Sequence, residues 1–246
     1  MALSADGKTI YASSVESVFA YDYDARAVKV GSPKEVVRGM SNNDLTTRTL
    51  VMSRKSPGVL LVSRGSSQDF DLAALDVTTG LAQLKAFDLR NLSSASPPFN
   101  FNTQGRLLGW GLRNAVGVAE HPVTGGVFSL DLGVDGMTRS GRDVHENNPG
   151  EELNFHGYLN SSTEHQGGNY GYPSCFSVWD TAIPDNSGLV VGDQFPMAQN
   201  STLNDVICET NFVGPRLTLP AHVSPLDIEF TPDGTTAFIT FHGSGE

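Results

Sequence analysis

No stretch of this 246-residue chain approaches the roughly 18 to 20 consecutive apolar residues that a membrane helix needs, so a membrane is not among the expected partners. Basic residues are scarce. Sixteen lysines and arginines face 27 acidic residues, the net charge is −11, and no basic cluster appears, so a polyanion such as nucleic acid would be repelled at long range. Residues 1–6 have neither a basic start nor an apolar stretch, and therefore do not read as a signal peptide. Cysteine is almost absent as well. Cys175 and Cys208 fit either one disulfide or two buried thiols. Three N-x-S/T sequons, at Asn91, Asn160 and Asn200, sit in polar loops where an acceptor must be exposed. They favour glycosylation, an extracellular location and hence the Cys175–Cys208 pairing.

A recurring hairpin is what the sequence does contain. Leu3-Ser4-Ala5-Asp6-Gly7-Lys8-Thr9-Ile10-Tyr11 runs from a strand end through an Asp-Gly turn into an alternating strand. Related units follow at residues 50–63, turning at Pro57-Gly58, at residues 116–130, turning at residues 121–126, and at residues 226–241, turning at Asp233-Gly234. Strand–turn–strand units at least ~50 residues apart, with little helical periodicity between them, match the blades of an all-β propeller, which run to about 40–50 residues each. A β-sandwich is the competing architecture, but its turns would recur every ~8–12 residues. The long gap between the third and fourth units holds both cysteines, two sequons and the glycine-rich residues 167–173, and reads as an elaborated surface.

Three segments stand apart from the hairpins. In residues 111–114, Arg113 offers a planar fork for a carboxylate, and Asn114 adds an amide beside it. In residues 146–154, the Asn148-Pro149-Gly150 turn, with Glu151, Glu152 and neighbouring asparagines, makes an oxygen-rich setting that suits calcium better than zinc. The third is Gly167-Gly168-Asn169-Tyr170-Gly171-Tyr172-Pro173. Without further context, Arg113 reads equally as an inter-blade ion pair and the acidic turn as a solvated loop.

Taken in order, and followed by Phe241-His242-Gly243-Ser244, these segments resemble the soluble quinoprotein glucose and sorbosone dehydrogenases, above all the fungal PQQ-dependent pyranose dehydrogenases. Residues 3–23 and 46–50 extend the resemblance over most of the chain. It implies a six-bladed propeller that holds pyrroloquinoline quinone (PQQ) and calcium. Arg113, Asn114 and His242 become the expected cofactor contacts, and the main-chain oxygens of Asn148 and Pro149 the expected calcium ligands. The implied reaction oxidises a sugar hydroxyl and passes electrons to an external acceptor, such as a cytochrome domain or a metal oxidase. Residues 1–246 are expected to form a single propeller domain, incomplete at both ends and covering roughly four to five blades.

One departure bears on activity. The family places a histidine base shortly before the Thr-Arg-Thr-Leu segment, and this chain has Leu45 there; no histidine precedes His121. Leucine cannot accept a proton, which leaves Asp44 as the local substitute. His121, His156 and His165 read as surface residues, whereas His222 and His242 are candidates for lining the channel. Two other functional classes stay open: a carbohydrate- or protein-binding propeller without turnover, and a calcium-dependent hydrolase of the lactonase type.

Overall fold

The computed structural model describes residues 1–93, 95–163 and 165–243. Tight turns build the first level of the architecture. In the first sheet, β1 (Ala2–Leu3), β2 (Thr9–Ser13), β3 (Val18–Asp24) and β4 (Lys29–Arg38) follow one another as antiparallel neighbours. The second sheet starts with β5 (Leu50–Met52), β6 (Val59–Arg64) and β7 (Gln83–Asp88). The chain then reaches back, and β8 (Phe99–Asn100) pairs in parallel with the outer edge of β4, before β9 (Arg106–Trp110) completes the second sheet.

The third sheet opens with β10 (Ala115–Glu120) and β11 (Gly126–Asp131). A hairpin of β12 (Thr138–Arg139) and β13 (Arg142–Asp143) precedes β14 (Glu151–Tyr158), which returns to pair with β11. A second excursion contains β15 (Phe176–Ser177), β16 (Gln194–Phe195) and the short helix α1 (Asp205–Asn211), after which β17 (Leu217–Leu219) closes the sheet. The last sheet is the hairpin of β18 (Pro225–Phe230) and β19 (Ala237–Phe241).

The innermost strands explain how the sheets are arranged. β5 packs against both β1 and β10, and β10 packs against β18. Together these four strands line a central cavity of about 790 Å³. The fold is therefore a β-propeller with four radial sheets, the low end of the expected count, the last represented by its inner hairpin. All four expected hairpins are present.

Two-residue periodicity supplies the packing between blades. Leu60 and Val62 join the core between the first and second sheets, while Leu61, one residue out of phase, joins the core between the second and third. A smaller cluster of Ala119, Leu130 and Ile228 holds the third sheet to the fourth. The long gap is more than an elaborated surface: Tyr172, Phe176, Val178 and Phe195 form a core of their own against Ala74 and Ala82 of the second sheet's loops. The Cys175–Cys208 disulfide fastens that layer to α1, closing a loop with a sequence separation of 33. Such a closure contributes about 3–4 kcal/mol. Arg139, fully buried, adds a two-pronged ion pair to Asp205 at 2.8 Å for each contact.

Candidate functional site at the channel rim

The strand register gathers the singled-out segments at one end of the channel. Asn114 immediately precedes β10, whose first residue Ala115 lies opposite Asp131; Leu45 precedes β5, whose Leu50 lies opposite Val62; and His242 follows β19, where Phe241 lies opposite Pro225. Loops that enter inner strands and loops that leave second strands thus share one rim.

At its centre, the main-chain N–H groups of Arg113 and Asn114 donate to the two carboxylate oxygens of Asp131, at 2.9 and 2.7 Å. Asp131 is buried, and burial pushes its carboxyl up to about 7, against the opposing pull of those N–H groups and of the Arg113 charge. The Arg113 side chain pairs with Asp69 at 2.7 Å and more loosely with Asp135 at 3.4 Å. Asp131 and Asp69 were not identifiable from sequence, since neither belongs to a motif: Asp131 meets Arg113 across the β10–β11 hairpin, and Asp69 reaches it from a loop 44 residues away.

Asn114 Oδ1 is buried and, among the described residues, accepts no hydrogen bond. It faces Gly65: a Cβ at that position would stand 2.7 Å from Asn114 Oδ1 and 2.5 Å from the Leu45 carbonyl oxygen. Leu45 and Asn114 therefore converge on Gly65 although 69 residues separate them in sequence. Leu45 is half-buried with φ of 40°, a left-handed conformation that β-carbon-bearing residues seldom adopt. Asp44 is exposed, and its Oδ1 accepts the Leu45 N–H at 2.8 Å, so its carboxylate is turned back on its own loop.

The Asn148-Pro149 segment is held by its side chain. Asn148 Oδ1 accepts from Trp179 and Asp180 main-chain N–H groups at 2.9 and 3.2 Å, and its Nδ2 donates to the Asp180 carbonyl at 3.0 Å. Among the described residues the carbonyl oxygens of Asn148 and Pro149 accept no hydrogen bond. Pro149, Arg113, Asp131 and Glu152 border a void of about 20 Å³, room for one water-sized species. The expectation of a solvated acidic loop is overturned here. Glu151 and Glu152 are buried because they begin β14, the third strand of its sheet. Burial raises Glu151, and it pushes Glu152 up to about 8 with help from the facing Asp131 charge.

The wall of the rim built by the first two sheets is basic. Arg48 donates to the carbonyls of Met40, Thr47 and Val15 at 2.6, 2.7 and 3.1 Å, and also reaches Asn42. Arg64 bonds the Ser41 and Thr79 carbonyls, and Lys85 those of Phe101 and Asn102. Burial lowers both arginines to about 10 and Lys85 to about 8.

The histidines depart from expectation in two places. His156 is fully buried within β14, bonded to Ser129 at 2.8 Å and in tilted ring contact with Tyr170, and burial lowers it to about 3. His121 is half-buried and ties the third sheet to the fourth through the Gly234 carbonyl at 3.0 Å. His222 is half-buried beside His145, while His242 is exposed and contacts its neighbour Gly243. Neither binds to Leu45, Asp44 or Asn114. Ser244, the last residue of the fourth quoted segment, lies outside the described residues. Asn91, Asn160 and Asn200 are all exposed.

The donor set suits an anionic quinone and a hard cation. Among the described residues, an arginine with a free donor edge and an unpartnered amide oxygen face the rim, and two uncommitted carbonyls adjoin buried carboxylates that lack a matching number of cations. A protein-family profile described as TrAA12-like matches residues 1–246. The chain belongs to the TrAA12-like family. Over its whole length it is 53% identical to the pyrroloquinoline quinone-dependent sugar dehydrogenase of Hypocrea jecorina, of which it covers 58%. It superposes on the calcium structure of the Trichoderma reesei family AA12 enzyme with a TM-score of 0.94, at 52% identity over 99% of this chain and 60% of that one. The holo form of the pyranose dehydrogenase PQQ domain from Coprinopsis cinerea matches with a TM-score of 0.91, at 33% identity over 98% of this chain and 59% of that one. This TrAA12-like chain thus spans about three fifths of the length of each of these three relatives.

Proposed function

We propose that this chain is part of a single-domain propeller that oxidises a sugar, a pyranose or other aldose, with PQQ as cofactor and calcium as its metal. The observation that carries the reading is the convergence at one rim of Arg113 with a free donor edge, Asn114 with an unpartnered oxygen, and the uncommitted carbonyls of Asn148 and Pro149. Arg113 and Asn114 would hold the quinone, and the two carbonyls the calcium. When bound, the quinone supplies a hydride acceptor and the cation a Lewis acid. The protein's own part is to fix the donors on Asp131 and to exclude water with the packed layer around Tyr172 and Phe176. His242 is assigned to the outer edge of the site by its place at the same rim. Electrons pass to an external acceptor, and the exposed sequons Asn91, Asn160 and Asn200 fit an extracellular, glycosylated protein.

Titration of purified protein with PQQ, with and without calcium and followed by cofactor absorbance, tests the assignment. Calcium-dependent saturation is expected. A folded sample that leaves PQQ absorbance unchanged removes the cofactor from the account.

Leu45 favours a second reading, a propeller that binds cofactor and carbohydrate without turnover. General-base catalysis typically contributes about 10²–10⁴ in rate, and no histidine stands at Leu45 to supply it. Leu45→His, assayed with aldoses and an artificial acceptor, is expected to raise turnover by roughly 10²-fold or more. An already fast wild type unimproved by the substitution would place the base elsewhere.

A further inference from the structure

Among the described residues, Arg113 is gripped along one edge only. Its Nη2 donates to Asp69 Oδ1 at 2.7 Å, with Asp135 Oδ2 at 3.4 Å, and its Nε faces the Asp69 carbonyl at 3.4 Å. Nη1 makes no hydrogen bond among the described residues and is not one of the solvent-excluded atoms, so it is the donor left for a ligand.

Asp69 is itself held from two directions. Its carboxylate accepts the Asp135 and Gly136 main-chain N–H groups at 3.0 and 3.4 Å, which tie it to the loop after β11. Its own loop is fastened by Tyr172, whose hydroxyl accepts the Asp71 N–H at 2.7 Å and faces the Gln68 and Asp69 carbonyls at 3.1 and 3.0 Å. Tyr172 is buried, and the Arg113 carbonyl accepts the Ser66 N–H at 2.8 Å, so one end of this loop is pinned to the Arg113 segment and the other to Tyr172.

We infer that Asp69 is a positioning residue that aims Arg113, taking Nη2 so that Nη1 points to the ligand, with Tyr172 setting the place of Asp69. The inference rests on the reading that Arg113 holds an anionic quinone. A free arginine side chain must surrender its rotamers on binding; here that ordering is done in advance by a charge-assisted bond.

Charge and aim predict opposite signs. Asp69→Asn removes a negative charge from beside an anionic ligand, so electrostatics alone would tighten PQQ binding. Loss of aim weakens it. PQQ titrations in calcium are to be run on the wild type, Asp69→Asn and Tyr172→Phe. Nitrogen-15 spectra of the arginine side chains are recorded without PQQ, with the Arg113 signal identified by its loss in Arg113→Lys. Asp69→Asn is expected to weaken binding roughly 10-fold and Tyr172→Phe about 3-fold, with the Arg113 guanidinium passing from restricted to freely averaging rotation in Asp69→Asn. Unchanged or tighter PQQ binding by folded Asp69→Asn overturns the inference. If that variant does not fold, unweakened binding by Tyr172→Phe overturns it instead. Should the wild type fail to bind PQQ, the cofactor reading falls, and the spectra alone decide: restricted rotation released in Asp69→Asn sustains the aiming role, and identical spectra end it.

Discussion

The two walls of the rim bury charge of opposite sign and satisfy it by the same device. On one wall Arg48, Arg64 and Lys85 spend their donors on main-chain carbonyls of the irregular loops; on the other, Asp131 and Glu151 accept main-chain N–H groups of Arg113, Asn114 and Gly133. None of the three cations forms an ion pair among the described residues. One buried charge can bind several backbone groups at once, and such charge-assisted bonds are stronger than neutral ones, so these residues staple loops that no sheet ladder could hold. The walls differ in how they titrate. Burial leaves the arginines charged at neutral pH but lifts Asp131 and Glu152 to about 7 and 8, inside the working range. Lys85, lowered to about 8, is the one group of the basic wall that titrates there, so the acidic wall carries the larger share of the pH response.

The largest expected effect follows from that asymmetry. Asp131 and Glu152 keep their protons in the folded state after the unfolded chain has released them, so their stabilisation is complete below the ordinary carboxylate range and is lost as pH rises to about 8. His156, lowered to about 3, works in the other direction below its ordinary value and offsets one of the two there. Lys85, lowered to about 8, also works in the other direction, regaining stability between about 8 and its ordinary value. Thermal midpoints in EDTA should fall from pH 5 to a minimum near pH 8 and rise again by pH 10, each carboxyl contributing up to about 1.4 kcal/mol per pH unit across its window. Asp131→Asn should flatten the fall; a profile indifferent to that change would mean the carboxyl is ionised throughout.

Next in size is Arg48→Met, which strands the carbonyls of Met40, Thr47 and Val15 and should cost about 3 kcal/mol in denaturant unfolding. Near-neutral behaviour would show that those carbonyls reach water. Gly65→Ala strikes where the walls meet, pressing on the Leu45 carbonyl and Asn114 Oδ1, and about 2 kcal/mol of destabilisation is expected together with weaker PQQ binding. Unaltered binding would detach Asn114 from the site. Smallest is Lys85→Met. It should cost about 1 kcal/mol at neutral pH while abolishing the alkaline rise.

The hairpins were legible because Asp6-Gly7, Pro57-Gly58 and Asp233-Gly234 demand turns and the flanking residues alternate. The third and fourth strands of each blade carried no such punctuation: β14 begins with two glutamates and contains His156, residue types that mark solvent when the partner strand is unknown. Arg113, Asn114, Asn148 and Pro149 could be picked out as motif members, but not what fixes them. Asp69 lies in a polar loop 44 residues from Arg113, and Asp131 is 18 residues away at the end of a strand. Tyr172 was visible only as part of a glycine-rich string; its role appears when the fold brings it against residues 68–71, about 100 positions away.

A crystal structure grown with PQQ and calcium tests the central claim most directly. Planar density against Arg113 Nη1 and Asn114, with a cation about 2.3–2.6 Å from the Asn148 and Pro149 carbonyl oxygens, is the predicted result. Well-ordered protein with both ligands bound elsewhere, or with neither at the rim, would contradict the account.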